Sequence, residues 1–324
     1  MPTPSKPPYR KRRALLASLF AVAGLLFAGT AAADTTVRIG FQKSSTLTTL
    51  LRSQGTLEQV LGEQGVKVSW HEFPSGLPLL EALNVGNVDF SADVADTVPV
   101  FAQAAGARLV YVAQEAPSPT AQAILVHGDS DISELSELKG KRVAVTKAAG
   151  SHYLLIQALK KAGLSFADIR PSYLTPADGR AAFENRNVDA WVAWEPFLTT
   201  AQRQLSPRVL ADGSEGLAEY QRYYLSSVDF AQQHPEIVQT LFEELRKGGK
   251  WLRANPSEAA EILGPMWGGL DPEIVEVANR KRSYEVRLVQ RDSLAEQQHI
   301  ADAFHTEGLL PVKVDAGDVD IWAP

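Results

Sequence analysis

Beyond residue 33 the chain alternates between two hydrophobic rhythms. Strand-like runs, VRIGF (Val37–Phe41), the strictly alternating VKVSWHEF (Val66–Phe73), VDFSA (Val88–Ala92) and LVYVA (Leu109–Ala113), are separated by helical patterns: LTTLLRSQGTLEQVL, LPLLEAL ending at NVG, and a helix around Val100–Ala105. Apolar strands that repeatedly feed helices predict mostly parallel sheets covered by helices on both faces, because such strands have no polar side to show to water.

The pattern then repeats. After AILV (Ala123–Val126), VAV (Val143–Val145) leads to a helix at His152–Ala162, IRPSYL to one near Gly179–Phe183, and VDAWVA (Val188–Ala193) to one at Phe197–Gln204. NVDF at Asn87 and NVDA at Asn187 give the two sets matching local wording. This echo predicts two α/β lobes of similar build. After YYLSSVDF (Tyr223–Phe230) the chain reads as mostly helical to about His305, so it should cross between lobes twice, near Ala123 and near Tyr224, leaving a hinged cleft. The expected division is 34–124 with 225–324 as lobe 1, and 125–224 as lobe 2.

The first 33 residues stand apart. Arg10–Arg13 precede an apolar run from Ala14 to Gly29 that ends in small residues, the pattern of a signal peptide cleaved after Ala33. Removing Lys6, Arg10, Lys11, Arg12 and Arg13 from 32 basic residues leaves 27 against 38 acidic ones, a net of −11. An acidic exported chain with no basic block is a poor match for nucleic acid or anionic membranes. It contains no Cys, which excludes disulfides, thiolate metal sites and a cysteine nucleophile. The expectation is a monomer in the periplasm.

Ligands of open parallel sheets bind where strand ends meet helix starts. Three loops fit: QKSSTL after Phe41, DVADTVP after Ala92 and TKAAGSHYLL after Val145. Ordinary helix caps would look the same in any one of them. In the third, Gly150-Ser151-His152 lacks the G-x-S-x-G form of a hydrolase elbow, and the exposed amides of Ala148, Ala149 and Gly150 suit an anion better. Trp194 at a strand tip offers an apolar face to a ligand tail or to the core. Glu195 could meet an amine, the hinge backbone or water. NRKRSYEVRLV (Asn279–Val289) concentrates Arg280, Lys281, Arg282 and Arg287 around Tyr284, either as a solvated face or as a source of one arginine for a ligand charge. The six histidines form no metal-ligand spacing, and no catalytic constellation or cofactor loop is found.

The segments IGFQKSSTL, LLEALNVGNVDF, VPVFAQAAGA, SELSELKGKRVAV, GSHYLL, TPADGRAAFENRNVDAWVAWEPF and RKRSYEV resemble those of the periplasmic substrate-binding proteins of aliphatic sulfonate ABC transporters. This family lies in the type II binding-protein superfamily, which also holds taurine and nitrate binders, and the resemblance runs from Val37 to the C-terminus. It implies two lobes closing on a sulfonate and delivery to an inner-membrane permease, with no cofactor. The ligand residues it implies are Gln42, Ser44, Ser45, Thr46, Asp96, Thr97, Ala149, Gly150, Ser151, His152, Trp194, Glu195, Arg282 and Tyr284. The same fold supports a desulfinase with a cysteine nucleophile, which a chain without Cys does not match.

Overall fold

The computed structural model of the protein describes residues 1–3 and 35–324; the rest of the expected signal peptide lies outside the described residues. The chain first lays down β1 (Thr35–Phe41), α1 (Thr46–Gln54), α2 (Thr56–Gly62), β2 (Val66–Glu72), α3 (Gly76–Asn84), β3 (Phe90–Ala95), α4 (Thr97–Ala104) and β4 (Leu109–Glu115). It then builds β5 (Gln122–Val126), β6 (Arg142–Val145), α5 (Gly150–Lys161), β7 (Arg170–Tyr173), α6 (Pro176–Glu184), β8 (Ala190–Trp194), α7 (Phe197–Leu205) and β9 (Arg208–Asp212). A return strand, β10 (Arg222–Ser227), leads to α8 (Val228–Gln233), α9 (Pro235–Ala254), α10 (Pro256–Met266), α11 (Pro272–Arg280), β11 (Val286–Leu288), α12 (Ala295–Thr306) and β12 (Asp320–Ile321).

Two sheets result. The first has the order β11-β4-β10-β3-β1-β2 with β12 beside β4, and the second β7-β6-β8-β5-β9. Strands joined through helices run parallel, as β1 does with β3 and β6 with β7 and β8. The two strands that carry the chain between sheets do not. β10 is antiparallel to β3 and β4, and β5 to β8 and β9. A strand arriving from the other sheet enters at the end where its neighbours finish, so it must run against them.

Period-two alternation covers both faces of each sheet. Along β10, Tyr224 joins the cluster under α1, α9 and α10, while Tyr223 and Leu225 join the one under α3 and α4. Along β5, Ile124 and Val126 meet α5, and Ala123 and Leu125 meet the α6 and α7 side. The long helical reading at residues 47–61 is broken at Gly55, whose left-handed conformation (φ 65°) ends α1 and starts α2. Helix α12 packs Ile300, Ala301 and Phe304 into the α5 cluster of the second sheet. The Phe304 ring lies 4.8 Å from Phe101 on α4 and 4.9 Å from His152 on α5, so α12 ties the two halves together behind the cleft.

Candidate functional site

Between the sheets, the ends of β1, β3, β6 and β8 meet around a narrow cavity. Three helices start there: α1 beside Ser44, α3 at Ser75 and Gly76, and α5 at Ala149 and Gly150. None of the three has a side-chain cap on its first turn. Ser45, the residue before α1, instead turns its hydroxyl back to accept from the Gln42 amide at 3.1 Å. Helix starts without caps present amide N–H groups and the positive end of the helix dipole, an arrangement that favours an anion. Lys147, Trp194, Tyr220 and Arg222 complete much of the wall.

Of the residues expected from sequence, Gln42, Ser44, Ala149, Gly150 and Trp194 line this cavity. The end of β3 contributes Ala95 to the wall, while Asp96 and Thr97, which follow it, do not line the cavity. Asp96 accepts from the amides of Thr97 and Gln221, both at 3.0 Å, and so ties the end of β3 to the chain entering β10. Thr97 Oγ1 donates to the Ala148 carbonyl at 2.6 Å, a bond from one half to the other. Ser151 is fully buried. His152 packs its ring against Phe166, Tyr173 and Phe304, and its Nδ1 accepts from the Ala148 amide at 3.3 Å. Burial, with the nearby Lys147 charge, pushes the His152 pKa down to about 3, so it stays neutral.

Arg282 and Tyr284 stand behind the wall. The Arg282 guanidinium donates to the Ser44 carbonyl at 2.8 Å, to Thr46 Oγ1 at 3.2 Å, to Asp93 Oδ2 at 2.9 Å and to both oxygens of Glu115 at 2.8 and 2.7 Å. The Tyr284 hydroxyl reaches Thr46 Oγ1 at 3.1 Å. Together they fix the Ser44–Thr46 loop from inside the first lobe. Arg222, which sequence reasoning missed, bonds through Nε to Asp93 and through Nη1 to the Tyr220 hydroxyl at 2.7 Å. Asp93, Glu115, Arg222 and Arg282 are thus a balanced buried quartet, none more than 6% exposed. Burial opposes the Arg282 charge, but Glu115 and Asp93 hold its pKa well above the ordinary value.

Glu195 is also spent on the protein. It accepts from Lys281 Nζ at 2.6 Å, and from the Thr199 hydroxyl and amide at 2.8 and 3.1 Å. The basic segment does cross the cleft, but through Lys281, while Arg280 pairs with Glu276 on its own helix. Burial raises the Glu195 pKa, and the Lys281 charge opposes this.

Asp96 carries a pH signature. Burial pushes its pKa up to about 7, against the pull of the Gln221 and Thr97 amides and of Arg222, and with Glu296 adding to the rise. A carboxyl raised in the folded state contributes stability below its unfolded value, near 4, and loses it as pH rises through about 7. Thermal melts of wild type and Asp96→Asn at pH 5 and pH 8 should therefore show wild type losing stability relative to the variant at the higher pH. Parallel pH profiles would refute this.

Two sheets with strand-end loops facing across a cleft define the periplasmic-binding-protein fold. The chain belongs to the NMT1/THI5 like family, whose model matches residues 61–259. It is 40% identical, over 94% of its length and 95% of the relative's, to an Escherichia coli (strain K12) protein named as an aliphatic sulfonates-binding protein. Among solved structures it is similar to the alkanesulfonate-binding protein SsuA from Xanthomonas axonopodis pv. citri bound to MOPS, with a TM-score of 0.83 and 38% identity over 89% of this chain and 98% of that one. The periplasmic aliphatic sulphonate binding protein SsuA from Escherichia coli gives a TM-score of 0.79 and 39% identity over 89% and 92%.

Proposed function

We propose that this protein captures aliphatic sulfonates in the periplasm, unaltered, and hands them to an ABC permease, acting as a monomer after cleavage behind Ala33. The observation that carries this reading is the convergence of three helix starts without side-chain caps on one cavity that also holds Lys147 and Arg222. A sulfonate is a permanent monoanion with acceptors only, so it needs donors and no base. Hydrogen bonds to a charged acceptor contribute roughly 1.5–3 kcal/mol each. Three or four could support micromolar binding, about −8 kcal/mol, after ordering costs. Gln42, Ser44, Ala149 and Gly150 are the contacts we assign to the head group, with Trp194 beside the first carbons.

An amino-sulfonate such as taurine is the less favoured ligand, because the Glu195 carboxylate that could meet its amine is held by Lys281. Calorimetry with alkanesulfonates, taurine, sulfate esters and nitrate tests the assignment. Micromolar binding of the alkanesulfonates is expected, with taurine weaker. Absence of any sulfonate binding below millimolar would overturn it.

A further inference from the structure

Lys281 and Arg282 follow the last turn of α11, a helix that packs Val275 into the cluster of the first sheet. Their side chains part. Arg282 turns inward and donates to the Ser44 carbonyl at 2.8 Å, behind the loop that brings Gln42 and Ser44 to the cavity. Lys281 reaches the other half, at the corner between β8 and α7, whose Leu198 and Ala201 pack against the second sheet. There its Nζ donates to Glu195 Oε1 at 2.6 Å, Thr199 Oγ1 at 3.0 Å and Gln202 Oε1 at 3.1 Å. An ammonium has three N–H groups, and this corner offers three acceptors. The Glu195 carboxylate also accepts from the Thr199 amide at 3.1 Å in the first turn of α7, so the ammonium steadies the corner from which Trp194, one residue earlier, enters the cavity wall. The Glu195 side chain is 4% exposed and that of Lys281 22%, so water screens this contact little. A neighbouring ion pair between the same two helices, Arg203 with Glu273 at 3.3 Å, is exposed on both sides and adds little.

We infer that Lys281 is a positioning residue for ligand binding: jointly with Arg282 it clamps the wall carrying Trp194 against the wall carrying Gln42 and Ser44. The inference rests on the sulfonate reading above, since it takes that cavity as the site. Neither Lys281 nor Glu195 lines the cavity, so the clamp acts through the residues it holds. Two arms on consecutive residues, whose Cα atoms are about 3.8 Å apart, leave little slack between the walls they grip. Without the ammonium, the seam between α7 and α11 keeps the exposed Arg203–Glu273 pair, while the Phe304 contacts behind the cleft remain. The halves could then turn about those contacts. Part of the ligand's binding free energy would go into restoring the spacing, which lowers its apparent affinity.

The test is calorimetry with butanesulfonate on the full mature chain, with thermal melts on the same samples. Lys281→Met should weaken binding roughly ten- to a hundredfold. The double variant Lys281→Met with Glu195→Gln leaves no buried carboxylate without its cation, so it should melt close to wild type yet bind as weakly as the single variant. In Lys281→Ala, propylammonium chloride, which replaces the deleted atoms, should restore most of the affinity. Tetramethylammonium chloride, which has no N–H to donate, should not. If Lys281→Met or the double variant bound like wild type, the clamp would be refuted while the sulfonate reading stood. A loss that propylammonium failed to restore would mark a general disturbance of the fold, and the assignment would be lost. If wild type itself bound no sulfonate, the proposed function would fall, and this inference with it.

Discussion

Replacing Arg282 by methionine should lower the melting temperature by roughly 5–15 °C. The side chain keeps its approximate bulk, so the effect is electrical. Arg282 spans Asp93 and Glu115 and also holds the Ser44 carbonyl, all out of water. Without it, Asp93 must share Arg222 alone, and Glu115 retains the Tyr224 hydroxyl at 2.7 Å. Removing one member of a buried ion cluster costs about 3–5 kcal/mol, because a charge is left without a partner. For a chain of this size each kcal/mol shifts the midpoint by about 2–4 °C or somewhat less. The double variant Arg282→Met with Glu115→Gln should recover part of the loss, which a double-mutant cycle in calorimetry would measure. A single variant that melted with wild type would show that the quartet does not hold the first lobe together.

The second large effect belongs to Gly150. A Cβ there would come within 2.5 Å of Cδ2 and Cε2 of Tyr220 and 3.2 Å of the Ala95 Cβ. Tyr220 cannot step aside easily, since its ring is buried, its hydroxyl accepts from Arg222, and its backbone is held at φ 54°. Gly150→Val therefore overpacks a seam where the start of α5 meets Tyr220 and Ala95 across the cleft. Overpacking costs about 1–3 kcal/mol. It falls on the arrangement in which the halves touch, so it should appear as a roughly 10- to 100-fold loss of sulfonate affinity with a smaller change in melting temperature. Calorimetry and thermal melts on the same samples would separate the two. Unchanged affinity would mean that the halves need not meet at Gly150 for binding.

The layering of the fold was readable because burial on both sheet faces leaves a plain mark: Leu109–Ala113 and Ala123–Val126 carry no charged residue. The antiparallel entries of β5 and β10 were not readable, since strand periodicity says nothing of direction. That gap explains what was missed at the site. Arg222 and Tyr220 reach the cavity only because β10 inserts between β3 and β4, a pairing of residues more than a hundred positions apart. A clue was present in Asp93, a carboxylate in a strand buried at every position, which required a distant cation. The start of α3 could also have been found, because Pro74-Ser75-Gly76 has the same small-residue character as the loop before α5.

Other candidates had suitable chemistry but prior commitments. Glu195, Arg282, Asp96 and His152 could each face a ligand by residue type, yet each already has a protein partner, and sequence does not reveal which polar groups are already satisfied. The basic segment shows this best, where Lys281 crosses the cleft while Arg282, one residue on, turns into the first lobe.

The balanced quartet has an electrostatic consequence for selectivity. Arg222 is cancelled by its carboxylate neighbours, so among the described residues lining the inner cavity Lys147 supplies the unmatched positive charge. A guest carrying one negative charge restores parity. Sulfate, with two, would bring a surplus that only the partial positive charges of the helix starts offset, and so should bind less tightly than a monoanion even where its tetrahedral oxygens fit.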